Sequence, residues 1–404
     1  MKGVFEINEY VHPSDSIRCT KGEELKGVKI IYGVTGSIAA VESVKIIREL
    51  IRYGANVFAV MSEEAKKVIT PDSLLFATEN PVITSLTGMV EHVSYPAGKV
   101  VYLIAPSTAN TISKIANGID DTPPTSFATV CIGRKIKIII APAMHSDMIK
   151  NPIISENIAK LSKMGIEFVF PKMEENEAKL ASAETIVDHV IRAVSNPRLE
   201  NKKVLVITGS SIEPIDDVRY VTNYSTGITG LYLAKKAFYE HAFVDVFYGK
   251  GKVHEWPYYF NVHNFTTIES LKNLIGEHKW DIAIVPAALS DFTFQKVNGK
   301  IPSDKDLEIK MKRTDKILPI LRKKVGILIG FKAEWDMPKN DLVSKTKDKI
   351  KELDLDIAVS NNLNEVSDNT AVSYIVTKKG KEIQLNGNKK QLADAIFNEI
   401  FHLE

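Results

Sequence analysis

The stretch Val28-Lys-Ile-Ile-Tyr-Gly-Val-Thr-Gly36-Ser37-Ile38-Ala39-Ala40 joins an apolar run to small and hydroxyl-bearing residues. The run Val28–Val34 predicts a buried strand, and the apolar spacing from Ala39 to Tyr53 predicts a helix that ends at Gly54. Small residues at such a junction leave backbone N–H groups free at the helix start, where the helix dipole also favours an anion. The stretch therefore predicts a phosphate-binding turn in a parallel sheet.

A second stretch of the same kind opens the later half of the chain: Lys203-Val-Leu-Val-Ile-Thr-Gly209-Ser210-Ser211-Ile-Glu213-Pro-Ile-Asp216. It predicts another strand, another phosphate turn and a helix directly after it. Other apolar runs predict further buried strands: Asn56–Met61, Lys99–Ala105, Lys135–Ala141, Glu167–Phe170, Val244–Tyr248, Ile282–Pro286, Gly326–Phe331 and Ile357–Val359. Helices are predicted over Asn157–Met164, Ala183–Val194 and about Lys389–Phe401, and a hairpin over Val372–Thr377 and Lys381–Leu385. The fold class is α/β, with two Rossmann-like three-layer domains.

A chain of 404 residues is too long for one ordinary core, which favours two domains. The polar segment Ser195-Asn196-Pro197-Arg-Leu-Glu-Asn201 separates two complete βα series and predicts a linker. We predict an irregular N-terminal extension at residues 1–27, a first domain at 28–196, a linker at 197–201 and a second domain at 202–404.

The composition argues against several classes of protein function. A net charge of +2 gives no electrostatic case for nucleic acid, and two cysteines form neither a disulfide framework nor a zinc pattern. No apolar run reaches membrane-spanning length, and the first residues lack the order of a signal peptide. We expect a cytoplasmic protein that binds neither nucleic acid nor membrane.

Polar residues follow the predicted strands of the first domain. The turn at Gly36 has neither the Gly-x-Gly-x-x-Gly spacing of dinucleotide folds nor a P-loop lysine, which favours a mononucleotide phosphate. Two later strands run into Pro106-Ser107-Thr108-Ala109-Asn110-Thr111 and Pro142-Ala143-Met144-His145-Ser146-Asp147-Met148. Hydroxyl, amide and methionine groups at such strand ends occupy the usual ligand position of these sheets.

These three segments resemble the flavin-dependent cysteine decarboxylases that act on phosphopantothenoylcysteine, over roughly residues 28–194. The resemblance implies a flavodoxin-like domain that binds FMN through Gly36, Ser37, Ile38, Ser62, Ser107, Thr108, Asn110 and Met144. It implies substrate contacts from Asn110, Ala143, Met144 and His145. His92 occupies the place of the family's catalytic base.

The family chemistry accounts for a flavin and a base. A carboxylate β to a thiol is not lost as CO₂ unaided, because the resulting carbanion has no electron sink. Oxidation of the thiol carbon by flavin to a thioaldehyde creates that sink, and the reduced flavin later reduces the enethiol product. His92 would assist proton removal in the oxidation.

The chain departs from the family pattern at two positions. His145 stands where the family has asparagine, and no cysteine lies in the lid stretch Glu177-Ala178-Lys179-Leu180-Ala181. The family cysteine supplies a proton in the final reduction, so here either Lys179 or water donates it, or this half is impaired. We favour a working enzyme with Lys179 as a catalytic residue.

The second domain carries a longer set of motifs. Beyond Gly209–Asp216, the chain reads Arg219-Tyr-Val-Thr-Asn223-Tyr-Ser-Thr-Gly227, Ala287-Ala-Leu-Ser-Asp291-Phe, Gly299-Lys300-Ile and Gly330-Phe331-Lys-Ala-Glu334. An arginine and an asparagine beside a hydroxyl-rich turn suit a phosphate or a carboxylate. Asp291 is read as a ligand for a sugar hydroxyl or a metal, or as a plain helix cap.

This set resembles the phosphopantothenate–cysteine ligases, over roughly residues 202–401. In those relatives CTP, sometimes ATP, activates the substrate carboxylate as an acyl-nucleotide, and the cysteine amine displaces the nucleoside monophosphate. The resemblance implies that Asn223 and Arg219 hold the substrate and the acyl intermediate, and that Lys300 stabilises charge as the amine attacks. It implies nucleotide contacts from Gly209, Ser210, Ser211, Ala287, Asp291, Lys300, Asp315, Lys316, Ile317, Leu318, Phe331, Lys345 and Lys349, with Mg²⁺ near Asp291. Leu353 stands where relatives have a second lysine, so Lys345 is the alternative.

The two reactions are successive, since the ligase product is the decarboxylase substrate. The chain resembles the fused, bifunctional enzymes of coenzyme A biosynthesis, which implies a homo-oligomer built from trimers of the first domain and dimers of the second. Two rivals stay open. A nicotinamide-dependent oxidoreductase would require a dinucleotide glycine pattern that neither turn shows. A non-catalytic flavin-binding or regulatory front half would suit the altered His145 and lid.

Overall fold

The computed structural model describes residues 12–171, 180–302, 304, 308–362, 364 and 370–403. The chain divides into two compact units, Met1–Ser195 and Asn196–Glu404. This division falls next to the polar segment predicted as the linker. Lys179 lies outside the described residues.

The first unit is built on a five-stranded parallel sheet. Its strands are β1 (Lys29–Val34), β2 (Asn56–Met61), β3 (Val100–Ser107), β4 (Lys137–Pro142) and β5 (Glu167–Phe168). Its helices are α1 (Ser43–Arg52), α2 (Pro71–Thr78), α3 (Glu91–Ser94), α4 (Ala109–Ala116), α5 (Pro123–Gly133), α6 (Ser146–Lys150), α7 (Pro152–Lys163) and α8 (Ala183–Val194), with short 3₁₀ turns at Asp15–Ile17, Ile38–Glu42 and Ala65–Lys67. The strand order β2-β1-β3-β4-β5 is that of flavodoxin-like folds, as predicted.

The apolar runs explain the position of the central strands. Every residue of β3 after Val100 is buried, and so is every residue of β4 after Lys137. A strand that is buried on both faces must be covered by helices on both sides, which only crossover connections provide. The sheet core therefore follows directly from the Val-, Ile- and Leu-rich runs.

Residues 12–27 are largely irregular apart from the 3₁₀ turn Asp15–Ile17, and they pack on the first unit. The Ser14 hydroxyl donates to the carbonyls of Phe76 (3.2 Å) and Ala77 (3.1 Å) on α2. Leu25 is fully buried. Ser14 thus attaches the segment to α2, and backbone bonds from Lys21 to Arg52 (3.0 Å) and from Leu25 to Tyr53 (2.9 Å) attach it to the end of α1.

The second unit is built on an eight-stranded sheet, parallel except at one edge. The strands of this unit, inside and outside that sheet, are β6 (Lys203–Thr208), β7 (Ile212–Pro214), β8 (Tyr220–Thr222), β9 (Phe243–Tyr248), β10 (Asn261–Asn264), β11 (Trp280–Val285), β12 (Phe292–Phe294), β13 (Met311–Arg313), β14 (Val325–Glu334), β15 (Ile357–Asn362), β16 (Thr370–Thr377) and β17 (Glu382–Asn388). Its helices are α9 (Ile228–Tyr239), α10 (Ile268–Ile275), α11 (Ile317–Arg322), α12 (Lys339–Leu353) and α13 (Lys389–Phe401). The sheet order is β10-β9-β6-β11-β14-β15-β16-β17, and β7–β8 and β12–β13 form separate two-stranded pairs.

Several predicted elements of this unit are confirmed. The antiparallel hairpin β16–β17 turns at Gly380, whose φ of 89° requires a left-handed backbone conformation that glycine adopts without strain. The C-terminal helix α13 has the predicted bounds. The α/β class with two parallel-sheet units is therefore correct.

The helix predicted directly after the Gly209 turn is wrong. The chain instead forms the antiparallel pair β7–β8, and the helix starts only at Ile228. Pro214 and the β-branched residues Ile212, Val221 and Thr222 favour extended backbone, and this preference is satisfied by pairing the two short strands. The first turn is followed by the 3₁₀ turn Ile38–Glu42 before α1 begins.

Gly230 lets α9 lie directly on β6. A Cβ atom at this position would overlap the buried side chain of Thr208. We expect Gly230→Ala to destabilise the second unit by about 1–3 kcal/mol, because overpacking displaces the helix from the strand. Differential scanning calorimetry of the full chain measures the loss as a lower transition midpoint.

Gly133→Ala is the matched control, since nothing lies within 4 Å of a Cβ there. Its midpoint should stay within about 1 °C of the wild type or rise, since alanine is the better helix former. Equal midpoints for the two variants would contradict the close packing of α9 on β6.

Candidate functional site

The carboxyl ends of β1, β3 and β4 are joined by hydrogen bonds into one edge of the first unit. The buried Thr35 hydroxyl donates to the Pro106 carbonyl (2.8 Å) and accepts from the Thr108 N–H (3.0 Å). The Ala143 N–H donates to the Ser107 carbonyl (3.0 Å). In this strand order the chain reverses direction between β1 and β3, which is where such sheets bind their ligands. The three predicted flavin segments therefore meet at the ligand edge.

The Gly36–Ser37 turn lies on this edge. The Ser37 hydroxyl accepts from the Ala39 N–H (3.3 Å) and donates to the Ala143 carbonyl (3.4 Å). A Cβ atom at Gly36 would overlap the Glu64 side chain, so glycine is required there. The Ile38 side chain is 80% exposed.

Ser107 supplies a buried hydroxyl with no partner among the described residues. An orphaned buried hydroxyl costs free energy, which a bound polar group removes. Thr108 caps α4 by accepting from the Thr111 N–H (3.3 Å), and Asn110 lies exposed on the first turn of α4. Met144, in the segment Pro142–Met148 that follows β4, is 7% exposed.

His145 caps the short helix α6 with its ring. Ring Nδ1 accepts from the Asp147 N–H (3.3 Å), so a neutral ring carries its proton on Nε2. The side chain is 61% exposed. Because Nδ1 faces Asp147, whose carboxylate Oδ2 also lies 3.3 Å from it, Nε2–H is the donor that His145 offers to an arriving group.

His92 lies apart from these residues in a single chain. It sits on α3, which Arg134 holds through the carbonyls of Val93 (2.7 Å) and Pro96 (2.8 Å) just before β4 begins. Lys29, the first residue of β1, donates to the Tyr95 carbonyl (3.2 Å). α3 is thus anchored where the strands begin, at the opposite edge from the Gly36 turn. His92 Nδ1 is enclosed and has no hydrogen-bond partner within the described chain.

The second unit has a cavity of about 240 Å³ at the carboxyl ends of β11 and β14. It brings together many of the predicted nucleotide residues: Ala287, Asp291, Asp315, Lys316, Ile317, Leu318, Phe331 and Lys349. The remaining lining includes Leu289, Ser290, Lys332 and Glu352. Apolar walls with lysines at the mouth suit a nucleobase and its phosphates.

Carboxylates pair with the lysines of this cavity. Lys316 contacts Asp291, and Lys349 contacts Glu352 (2.7 Å). The hydrogen bond and the charge of Lys349, with a contribution from Lys316, lower the pKa of the Glu352 carboxyl. Lys345 does not line the cavity and lies 3.9 Å from Glu334.

The Gly209–Ser211 turn is hydrogen-bonded to the loop that lines the cavity. The Gly209 carbonyl accepts from the Ala288 N–H (2.8 Å), and the buried Ser211 hydroxyl accepts from the Ser290 N–H (2.9 Å). The Ser210 N–H donates to the Lys250 carbonyl (2.8 Å). Gly209 and Ser211, predicted to contact the nucleotide, are therefore engaged in holding the 287–291 loop, and the Ser210 N–H is engaged with the Lys250 carbonyl.

Asn223 lies next to the same loop. Its side-chain amide donates to the carbonyls of Ala288 (3.3 Å) and Leu289 (3.2 Å), and Leu289 lines the cavity. Asn223 and the predicted nucleotide residues thus meet at one edge.

Arg219 and Lys300 lie in two loops that Asp216 ties together. The buried Asp216 carboxylate accepts from the N–H groups of Val218 (2.7 Å), Arg219 (2.6 Å) and Ile301 (3.1 Å). Burial opposes ionisation, but these bonds and the Arg219 guanidinium lower the pKa of Asp216. Lys300 itself is exposed, and no contact in the described chain brings it to the cavity.

The sequence reasoning missed the roles of Thr35, Asp216 and Glu352. Thr35 and Asp216 belong to the two quoted stretches, so their position at strand and turn ends was the available signal. Glu352 had no such signal, because its importance depends on α12 lying over the cavity. Among the described residues no group of three or more His, Cys, Asp or Glu side chains could hold a metal, so a metal ion at Asp291 would need further ligands from its substrate or from water.

Comparison with known proteins matches both units. Residues 18–195 match the sequence model of the family described as Flavoprotein, and residues 199–403 match that of the DNA/pantothenate metabolism flavoprotein C-terminal domain. The coenzyme A biosynthesis bifunctional protein CoaBC of Thermococcus kodakarensis is 40% identical over 96% of this chain and 99% of its own length. The protein of the same name from Methanocaldococcus jannaschii is 37% identical over 98% of each chain. A solved C-terminal domain of a CoaBC protein is 26% identical over 52% of this chain and 98% of its own, with a TM-score of 0.44.

Within the described residues, the helices are too short or too polar to cross a bilayer.

Asp216→Asn tests the tie between the loops that carry Arg219 and Lys300. An amide accepts fewer of the three N–H bonds and loses the charge. We expect hydrogen exchange at the amides of Val218, Arg219 and Ile301 to accelerate by about tenfold, since local opening becomes easier. Hydrogen–deuterium exchange of the full chain measures this.

The control is Glu277→Gln, an exposed carboxyl of the same unit that lies 3.5 Å from Lys324. It should leave exchange in both loops unchanged. Unchanged exchange in Asp216→Asn as well would show that Asp216 does not hold these loops.

Proposed function

Since the chain belongs to the family of bifunctional coenzyme A biosynthesis proteins named CoaBC, we propose that its two units catalyse two successive steps. The second unit joins 4′-phosphopantothenate to cysteine with CTP, and the first decarboxylates the resulting 4′-phosphopantothenoylcysteine to 4′-phosphopantetheine. The observation that carries the proposal is the cavity of the second unit, whose lining includes eight of the thirteen residues that the ligase resemblance implies for the nucleotide.

The first unit suits FMN as its flavin. Gly36 and Ser37 would hold the phosphate, with Ser62, Ser107, Thr108 and neighbouring motif residues at the ring and ribityl chain. The orphaned Ser107 hydroxyl supports this fit, because a flavin polar atom would complete its hydrogen bonding. When bound, the flavin supplies two-electron oxidation of the substrate thiol carbon and, after CO₂ has left, the return of those electrons.

The chain's own groups would bind substrate and move protons. The His145 Nε2–H would donate to the substrate carboxylate, with Nδ1 fixed as an acceptor by the Asp147 N–H. His92 would act as the base. Its position at the opposite edge from the Gly36 turn supports a site shared between copies of the chain. Such a shared site is what the expected trimer of the first unit would provide, and the dimer of the second unit stays a prediction.

The final proton is assigned to Lys179 or to water. Lys179 lies outside the described residues, so its role stays a prediction from the sequence. The cytoplasmic location also stays a prediction.

The ligase chemistry begins with attack of the substrate carboxylate on the α-phosphate of CTP, which releases pyrophosphate and leaves an acyl-cytidylate. The cysteine amine then attacks the acyl carbon, loses a proton and displaces CMP. We assign Asn223, whose amide lies against the 288–289 carbonyls, to the acyl intermediate. Arg219 would hold the substrate's anionic end, and Lys300 would stabilise charge during amine attack.

The nucleotide would enter the cavity with its base at Phe331 and its phosphates at Lys316 and Lys349. Mg²⁺ would be held mainly by phosphate oxygens, because a single cavity carboxylate such as Asp291 provides too few ligands alone. Ala287, Ile317 and Leu318 would form the apolar wall.

The proposal is tested with the full chain, 4′-phosphopantothenate, cysteine, Mg²⁺ and either CTP or ATP. We expect a yellow protein that releases pyrophosphate and CO₂ with CTP. Asn223→Asp and Lys300→Gln should reduce amide formation by about 100-fold or more while the flavin spectrum is unchanged. Both variants should still release CO₂ when supplied with 4′-phosphopantothenoylcysteine.

Two results would refute parts of this scheme. Normal amide formation in both variants would remove Asn223 and Lys300 from the ligase site. A yellow wild-type protein that releases no CO₂ from 4′-phosphopantothenoylcysteine would favour a non-catalytic front half.

Ser107→Ala tests the flavin site. The variant loses a hydroxyl that has no partner in the described chain, so the free protein should be as stable as wild type or more so. FMN affinity should fall by about tenfold, the usual weight of one hydrogen bond. Flavin fluorescence titration measures the affinity, and thermal unfolding of the flavin-free protein measures the stability.

The matched control is Ser16→Ala, whose exposed hydroxyl donates to the Pro13 carbonyl (2.8 Å). It should bind FMN like the wild type. Unchanged FMN affinity in Ser107→Ala would place the flavin away from the end of β3.

A further inference from the structure

Charged side chains alternate in sign along one side of the cavity in the second unit. Asp291 contacts Lys316, and Glu352 contacts Lys349 at 2.7 Å. Lys316 also lies close enough to Glu352 to favour its ionised form, which links the two pairs. All four residues line the cavity.

This arrangement leaves the cavity formally neutral. The lining has three carboxylates, Asp291, Asp315 and Glu352, and three lysines, Lys316, Lys332 and Lys349. Two of these six pair outside the lining, Asp315 with Lys272 (2.7 Å) and Lys332 with Glu334 (3.1 Å), which leaves the balance unchanged. A nucleoside triphosphate carries several negative charges, so a neutral lining attracts it weakly. Binding its phosphates therefore requires the lysines to exchange a carboxylate partner for a phosphate.

Lys349 is the α12 lysine in the cavity lining, since Lys345 lies beside Glu334 instead. Glu352 follows Lys349 by one turn of α12, the spacing at which helix side chains meet. The next residue, Leu353, stands where the ligase resemblance expects a second lysine. Of the lysines near this end of α12, the cavity lining thus includes Lys349, and the Glu352 carboxylate already pairs with it.

We propose that Glu352 is the counter-ion that the nucleotide's β- and γ-phosphates displace from Lys349, and that this exchange limits the affinity for CTP. The inference rests on the proposed ligase function of the second unit. Glu352 is an affinity-setting residue here and takes no part in bond making. Removing its charge frees Lys349 for the phosphates, while Lys316 still contacts Asp291.

Glu352→Gln tests this by isothermal titration of the full chain with CTP and with CMP, both with Mg²⁺. We expect CTP to bind about three- to tenfold more tightly, the usual range for one partly exposed charge. CMP should change by less than about twofold, because it lacks the phosphates that reach Lys349. The KM for CTP should fall with the dissociation constant.

Two control variants on or beside α12 separate this exchange of partners from a general change of the electrostatic field around the helix. Glu382→Gln breaks a similar pair with Lys347 of α12 (2.6 Å), away from the cavity lining. Asp348→Asn removes an exposed charge next to Lys349 in the chain, on a different side of the helix. Both variants should bind CTP like the wild type.

The possible results separate this inference from the proposed function. A wild-type chain that binds no CTP would remove the ligase proposal and this inference with it. If the wild type binds CTP, then unchanged or weaker CTP binding in Glu352→Gln overturns the counter-ion role alone. An equal gain for CTP and CMP, or equal gains in the two controls, overturns it as well.

Discussion

Both units depend on one geometric constraint, the gathering of strand ends in a parallel sheet. Parallel strands need crossover connections, so their carboxyl ends all meet at one edge and their amino ends at the other. In the first unit, hydrogen bonds therefore join Thr35 to the segment that contains Ser107, and Ser107 to Ala143. In the second unit it places the ends of β11 and β14 around the cavity. Residues that are far apart in the chain become neighbours because their strands end together.

The turns beside these edges play different parts in the two units. The Gly36 turn carries the exposed Ile38, and the end of β3 at the same sheet edge carries the Ser107 hydroxyl, which has no partner in the described chain. The Gly209 turn is largely engaged with the protein itself, through the Ala288, Ser290 and Lys250 backbone. Similar sequence at the end of a strand thus leads to turns with different surroundings in the two units.

Charge around the cavity of the second unit is balanced by the carboxylate–lysine pairs Asp291–Lys316 and Glu352–Lys349. Such pairs contribute little to stability at an exposed surface, but they decide how a charged ligand is received. Asp216 is the contrasting case, because its buried carboxylate is satisfied by three backbone N–H groups and the Arg219 side chain. Asp216 therefore joins two loops, whereas the cavity carboxylates form ion pairs with lysine side chains.

The apolar runs by themselves determined the α/β class, most strands of both sheets, and the helix α13, because burial on both faces demands an unbroken hydrophobic strand. The short pairs β7–β8 and β12–β13 did not show in the sequence, since strands of three residues have too few positions to show a period. The motif residues were identified individually, but their distances were decided only in three dimensions. Asn223 reaches the carbonyls of residues 288 and 289, and Glu352 reaches Lys349 over a cavity built from distant strands. Sequence carries the local preference of each segment, whereas contacts between segments depend on how the whole sheet assembles.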